Sequence, residues 1–499
     1  MGRAAAQGPR RGGELIVGTQ ADVATLDPHY TGDVPSGMVQ LHMYETLIAL
    51  DRNNRYAPGL AESWFWARDG LSLTIRLRQG VTFHDGVPFD AAAVKANLDR
   101  MMDPEARTLA RSLFATVDRV DTPDSRTVVL RLKEPTGALI ANLASNRAAM
   151  VSPDAIRRFG RDLSRNVVGT GPFVLEEWRP KERIVVRAND KYWGGRPNLD
   201  RIIFRPAPNT AARIAMLEAG DAHVVAPITP QDVDRLRRNP NLDVITVFGG
   251  DNMHMPLVTL HAPLRDKRVR QALNYAVDKE AIARVIFRGF AKPLTDSPLA
   301  PATWGYQDVG NFYPFDRPKA RQLMQEAGYD KGFRMTIIAP DGRYINDRQV
   351  AEAVASYLKS LGIEVDLQIY EWGTYVGKLL SARTDPLPDF WAALITFAVG
   401  TMDADQGMVI FRGDNWPPNG FNFAFYRNPQ VDALLARGRS AVEPRDRLAA
   451  YREAQRLVME DAPAIFLVAY QYMGAVNKKV KGVWLMPIGA VMAKGAWLE

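Results

Sequence analysis

Two arginines, two aspartates and several loop aromatics are the residues of this chain best suited to chemistry, and that chemistry is recognition. Arg343 and Arg348 stand between a run that reads as a strand, Phe333–Ile338, and a helix carrying Val350, Val354, Tyr357, Leu358 and Leu361 on one face. In an open α/β sheet this connection lies at the carboxyl end of the strand, where ligands collect. A guanidinium there can hold a carboxylate through two parallel N–H bonds, or it can be an exposed structural charge. Asp403 and Asp405 can accept from an amine or from amides, or cap a turn. Trp372, Phe397 and Trp416 can wall a cleft, or pack a core. Taken together, arginine, acid and ring suit a zwitterionic, peptide-like molecule.

Catalytic patterns are missing from the sequence. It has no G-x-S-x-G elbow, no G-K-[ST] phosphate loop, no H-E-x-x-H and no G-x-G-x-x-G. Gly169-Thr170-Gly171 runs into Pro172, which breaks the dinucleotide pattern. Of the six histidines, His29, His42, His84, His223, His254 and His261, the closest two lie seven residues apart, outside metal-ligand spacing. Asp403, Asp405 and Gly407 make a fragment of a calcium loop without its closing glutamate. With no cysteine there is no disulfide, thiolate metal site or cysteine nucleophile. The expectation is a binder, not an enzyme, with no cofactor and no metal.

The elements that must position these residues read as α/β. Glu14–Gly18 is a strand, Met38–Leu50 a helix, and Leu71–Leu77, Thr127–Leu132 and Arg183–Arg187 alternate with period two. Arg201–Phe204, a helix capped by Asn209 and ended by Gly220, and Ala222–Ala226 form a βαβ unit, which favours a parallel sheet. A second such unit follows far along the chain, from Phe333 to the alternating run Ile363–Ile369, with Gly362 ending its helix. Asn428-Pro429 opens another helix, Ala462-Pro463 closes the one holding Leu448, Tyr451 and Val458, and Ile465–Val468 is a buried strand. Two α/β cores imply two lobes, in keeping with 499 residues.

Composition is that of a globular protein, 46% apolar and 24% charged. Net charge is +7, but acids and bases alternate beyond Arg3, Arg10 and Arg11, so no basic face calls for nucleic acid. No apolar stretch reaches the roughly 20 residues of a membrane span. The small-residue start reads as a mature secreted chain whose leader was replaced by a start codon, or equally as a flexible cytoplasmic N-terminus.

Leu60-Ala61-Glu62-Ser63-Trp64, then Arg78-Gln79-Gly80-Val81-Thr82-Phe83-His84-Asp85-Gly86-Val87-Pro88-Phe89, resembles the signature of bacterial extracellular solute-binding proteins of the oligopeptide/dipeptide/nickel class. Gly169–Phe173, Tyr192–Pro197, Arg268–Asp278, Asn428–Asp432 and Val480–Val483 follow in that class's order, so the resemblance spans about residues 14–485. It implies a two-lobed periplasmic binding protein fold that takes a small solute in an interlobe cleft, closes about a hinge and delivers to ABC permease subunits at the membrane. Implied boundaries are a flexible 1–13, a first lobe of 14–250 with an inserted subdomain at about 51–167, completed by 470–499, and a second lobe of 256–468. The crossings near Gly249–Pro256 and Ala469–Tyr472 would be the hinge. A monomer in the periplasm is implied, with His84 structural.

Classical peptide binders of the class carry a Trp and, three residues on, an Asp that pairs with the peptide's amine. The matching positions here are Phe397 and Gly400, so the usual amine recognition is missing. Gly400–Met408, Trp416–Asn422, Pro340–Tyr344 with Asp347, and Tyr370–Gly373 resemble instead the glutathione-binding branch. The resemblance places a carboxylate-binding arginine near Arg348. A non-peptide solute (a metal chelate, an oligosaccharide or an opine-like conjugate) is the runner-up, and a peptide hydrolase stands behind it.

Overall fold

The computed structural model describes residues 8–499. Residues 1–7 of the expected flexible start lie outside the described residues. Gly12 and Gly13 are already fastened, donating to the Asn198 carbonyl at 2.7 Å and to Asp200 Oδ2 at 3.0 Å. The chain falls into two units, one running to Val247 and resuming at Tyr472–Glu499, the other Phe248–Gln471.

In the first unit the strand Glu14–Thr19 lies parallel to Arg201–Pro206 on one side and to Val224–Ala226 on the other. Arg183–Ala188 and Phe173–Arg179 extend the sheet antiparallel. Leu15 and Val17 are fully buried beneath it, with Phe173, Ile202 and the returning Leu485 and Val491. The helix Thr210–Ala219 makes the crossover, with Asn209 accepting from the Ala212 N–H and Gly220 left-handed at its end. A four-stranded antiparallel sheet, ordered Ala61–Trp66, Ser72–Leu77, Thr127–Leu132 and Val117–Asp124, has its own core of Leu73, Ile75, Val94, Leu98, Val128 and Leu130.

The helix expected over Met38–Leu50 is instead Val34–Met43, and Ile48–Leu50 is a strand paired with Tyr56–Pro58. Asp33 caps the start by accepting from the Ser36 N–H at 2.8 Å. The end is set from outside the helix, because the Gly171 N–H takes the Met43 carbonyl at 2.9 Å. Any side chain at Gly169 or Gly171 would collide with the Met43 backbone, so these glycines serve close backbone approach. His84 locks the same turn. Its Nδ1 accepts from the Gly169 N–H at 3.2 Å and its Nε2 donates to the Gly171 carbonyl at 3.0 Å, while burial pushes its pKa down to about 4. A neutral imidazole with both nitrogens bonded to backbone is a structural part.

The second unit holds a parallel sheet, Glu364–Tyr370, Arg334–Pro340 and Ala392–Ala393, with the helix Asp347–Lys359 joining the first two in sequence. Val350, Val354 and Leu358 are fully buried, as their spacing predicts, and Gly362 adopts φ +82°. The strand Asn252–Pro256 pairs antiparallel with Ile395–Phe397 and with the long strand that begins at Ala464. The helices Pro429–Ser440 and Pro444–Asp461 pack a core of Val431, Leu435, Tyr451, Val458 and Phe466. Among the described residues no helix is long and apolar enough to cross a membrane, and no cluster of His, Asp and Glu could hold a metal ion.

Candidate functional site

All seven residues singled out from the sequence fall in the second unit. The loop after the strand Arg334–Pro340 is built around Asp347, whose buried carboxylate accepts from the N–H groups of Gly342, Arg343 and Tyr344 at 3.1, 2.8 and 2.9 Å, and from that of Arg348 at 2.8 Å. Three consecutive amides gathered by one acid fold the loop back on its helix. Gly342 supplies the positive φ that this turn needs.

That turn projects Arg343. Its guanidinium lies 4.8 Å from the Trp372 ring centre and 5.9 Å from that of Tyr344. Trp372 opens the helix Trp372–Ser381, which Glu371 caps by accepting from the Gly373 and Thr374 N–H groups. The indole stays 36% exposed, stacks on Tyr375 and meets Tyr344 edge-on, both with ring centres 5.9 Å away. Tyr375 is buried and its hydroxyl donates to the Leu394 carbonyl at 2.5 Å, which anchors the group. Arg343 makes no ion pair among the described residues. An exposed fork of donors held over aromatic faces is suited to a planar anion.

A polar group that sequence reading passes over lies within electrostatic range of Tyr344. Asp251 is 6% exposed and accepts from the Tyr470 hydroxyl at 3.3 Å. Tyr470 stacks on Phe287 with ring centres 5.9 Å apart. The Tyr344 phenol is pushed up to about 12, chiefly by burial, with Asp251 among the charges acting on it. Asn252, fully buried, has neither end of its amide partnered. The one signal in the sequence was the polar pair Asp251-Asn252 ahead of an apolar strand, read only as part of a crossing.

The other candidates divide. Arg348 is half exposed and bonded to Asp341 at 3.2 Å and Glu352 at 3.0 Å, so a ligand carboxylate there would compete with two acids of the chain. Asp403 serves within the chain as a cap and a counter-ion. It is 1% exposed, caps the helix Ala404–Met408, and both its oxygens take Arg447, at 2.7 and 3.0 Å. Burial works against the Arg447 charge, but Asp403 outweighs it and holds the guanidinium above its ordinary pKa. Asp405 is likewise occupied, by Arg439 at 3.0 Å and the Tyr451 hydroxyl at 3.3 Å. Phe397 is half-buried, ends its strand opposite Asn252 and packs against exposed Phe421. Trp416 donates to the Tyr426 carbonyl at 3.0 Å, rests edge-on against Phe425, and lines a cavity of about 420 Å³ with Arg412, Arg427 and Arg439. The structure thus joins Arg343 to Trp372 and spends Arg348, Asp403 and Asp405 on other residues of the chain.

Comparison with known proteins fits this picture of a binder. The family model described as bacterial extracellular solute-binding proteins, family 5 Middle, matches residues 55–419. The glutathione-binding protein GsiB of Salmonella typhi is 33% identical over 478 residues, 95% of this chain and 92% of the relative. Among solved structures, the periplasmic binding protein DppA of Helicobacter pylori, in complex with the peptide STSA, is 26% identical with a TM-score of 0.79, covering 98% of this chain and 99% of that one. HbpA2 of Haemophilus parasuis shares the fold with a TM-score of 0.87 at 24% identity, over 98% of this chain and all of that one.

Proposed function

The chain belongs to the bacterial extracellular solute-binding proteins of family 5, the substrate-binding components of ABC importers in the peptide and nickel class, and from that membership we propose that its solute is a small peptide-like zwitterion of the glutathione kind. It is a solute-binding protein and not an enzyme. We place its action in the periplasm, where it captures the solute and hands it unchanged to permease subunits at the membrane.

The observation that carries the reading is Arg343, an exposed guanidinium laid over Trp372 with no acid of its own among the described residues. Glutathione offers two carboxylates, an α-amine and amides, which suits a fork of donors beside rings. The GsiB relatives add support, since the likeness runs through the segment that holds Arg343, Asp347 and Trp372. The test is a thermal-shift screen of the full chain with glutathione, short peptides, opine-like conjugates, nickel–histidine and oligosaccharides. A tight solute raises the melting temperature by mass action, by an amount equivalent to about 2.7 kcal/mol at a hundredfold excess over Kd. Glutathione or a short peptide is expected to give the shift. A response to sugars or to nickel–histidine, with none to any peptide-like compound, overturns the proposal.

A further inference from the structure

The cavity beside Trp416 lies within the second unit, and its lining carries more guanidinium donors than the chain itself uses. Independently of the solute proposed above, we infer that this cavity is a second binding site, one for a phosphate monoester carried on a flat or apolar body.

Two segments build it. Residues 412–416 form one wall, and the helix Pro429–Ser440 forms the other, bringing Asp432, Ala436 and Arg439 to one face at i, i+4 and i+7. Gly413 lets the walls meet. Its N–H donates to Asp432 Oδ1 at 2.7 Å, and a side chain there would stand 2.6 Å from Asp432 Oδ2 and 2.9 Å from Arg427 Cγ. The cations are only partly spent. Arg412 donates from Nε and one Nη to Asp414, and Arg439 donates from Nε to Asp405. Arg427 makes no ion pair and no side-chain hydrogen bond among the described residues. Forked donors in excess suit an oxyanion, which arginine grips through parallel N–H bonds. The acids narrow the choice. Asp414 has both oxygens bonded to Arg412, whereas Asp432 Oδ2 accepts no hydrogen bond from the described residues. A carboxylate or a sulfate brings no proton at neutral pH and meets Asp432 as a like charge. A phosphate monoester, with a second pKa of about 6, can bring a P–OH that donates to that oxygen. Trp416, fixed by its indole N–H on the Tyr426 carbonyl at 3.0 Å, offers an apolar wall to the body of the ligand. A volume of about 420 Å³ has room for a ring as well as a phosphate.

The experiment is calorimetric titration of the full chain at pH 6, as wild type, Arg427→Ala and Asp432→Asn, with phenyl phosphate, phenyl sulfate, benzoate and inorganic phosphate. Wild type is expected to bind phenyl phosphate at least about 10-fold more tightly than phenyl sulfate or benzoate, the effect of one charge-assisted hydrogen bond. Inorganic phosphate should bind a few-fold more weakly than phenyl phosphate, for want of the ring. Arg427→Ala should weaken phenyl phosphate by about 10-fold or more while melting as wild type does, since Arg427 is exposed. Asp432→Asn keeps an acceptor for the Gly413 N–H and should bring phenyl sulfate level with phenyl phosphate. The inference is overturned if phenyl phosphate does not bind, if Arg427→Ala binds it unchanged, or if wild type takes sulfate or benzoate equally well. A preference for phosphate that survives Asp432→Asn overturns it too, as does inorganic phosphate binding as tightly as the phenyl ester. Should Asp432→Asn fail to fold, the wild-type comparison and Arg427→Ala decide. Glutathione titrated into Arg427→Ala should bind as it does to wild type, and its failure to bind either chain counts against the proposed function alone.

Discussion

Asp403 with Arg447 and Arg343 with Trp372 each centre on one arginine, yet the fold uses them in opposite ways. The first pair is sealed, with side chains 1% and 4% exposed and both carboxylate oxygens bonded. In the second, the guanidinium lies at the surface over an indole and pairs with no acid among the described residues. A charge that finds its partner inside the chain is architecture, and one that is backed but left without a counter-ion is available to a guest. Breaking a sealed charge should therefore cost stability, and breaking an open one should cost affinity.

The largest effect belongs to the sealed class as a whole. Burial pushes His29, His42, His84 and His254 down to about 4. Each is neutral in the fold and free to protonate when unfolded, so its stabilising contribution is complete above 6.5 and is lost as the pH falls from 6.5 towards 4. The full contribution is roughly 3 kcal/mol for each histidine. Urea midpoints should fall steeply between pH 7 and pH 5. Three of the four lie in the first unit, so hydrogen exchange should show that unit opening first. A flat midpoint over this range would contradict the sealed reading.

Next comes Arg447→Met, which leaves Asp403 buried without its cation. The expected loss is about 3–5 kcal/mol, a fall of roughly 10 °C in Tm. Pairing it with Asp403→Leu should recover most of the loss, because an apolar pair of similar volume replaces a desolvated one. Scanning calorimetry of the two variants checks both statements.

These contrasts mark what could be read from the sequence. Periodicity was enough for the helix bearing Val350, Val354 and Leu358 and for its flanking strands, because those patterns record burial directly. Local capping was legible at Asn209, whose partner is three residues away. The end of the first helix was not, since the Met43 carbonyl is claimed by Gly171, far along the chain. For the same reason Asp403 looked available, because its partner Arg447 is 44 residues on. Arg343 could be nominated from its place after a strand, but not told from Arg348, because only coordinates reveal which of them acids have already claimed. Asp251 offered only the polar pair it makes with Asn252 ahead of an apolar strand.

Asp347→Ala tests how the open class is held up. Removing an acceptor shared by four N–H groups should cost about 1–3 kcal/mol of stability and should lower solute affinity further by letting the Arg343 loop relax. Arg343→Ala should do the reverse, leaving Tm within about half a kcal/mol of wild type while weakening a carboxylate-bearing solute by about 1.5–3 kcal/mol. Calorimetric titration beside a melting curve separates the two. Equal affinity in Arg343→Ala would remove the open charge from the site.

The smallest expected effect is the most discriminating. Arg348→Ala removes a cation five residues from Arg343, on the same loop and helix start, but one already bonded to Asp341 and Glu352. Both pairs are half exposed, and exposed pairs contribute within about 1 kcal/mol. The melting temperature should stay at its wild-type value, and solute affinity should hold to within about twofold, since the freed acids and the lost cation act through water. Titration at low and high salt gives a second reading, because whatever small change exists should vanish as the ions screen it. If Arg348→Ala weakens binding as strongly as Arg343→Ala and keeps doing so in high salt, the solute displaces Asp341 and Glu352 to reach Arg348. A partner within the chain would then not be enough to close a charge to a guest, and the distinction between sealed and open would have to rest on burial alone.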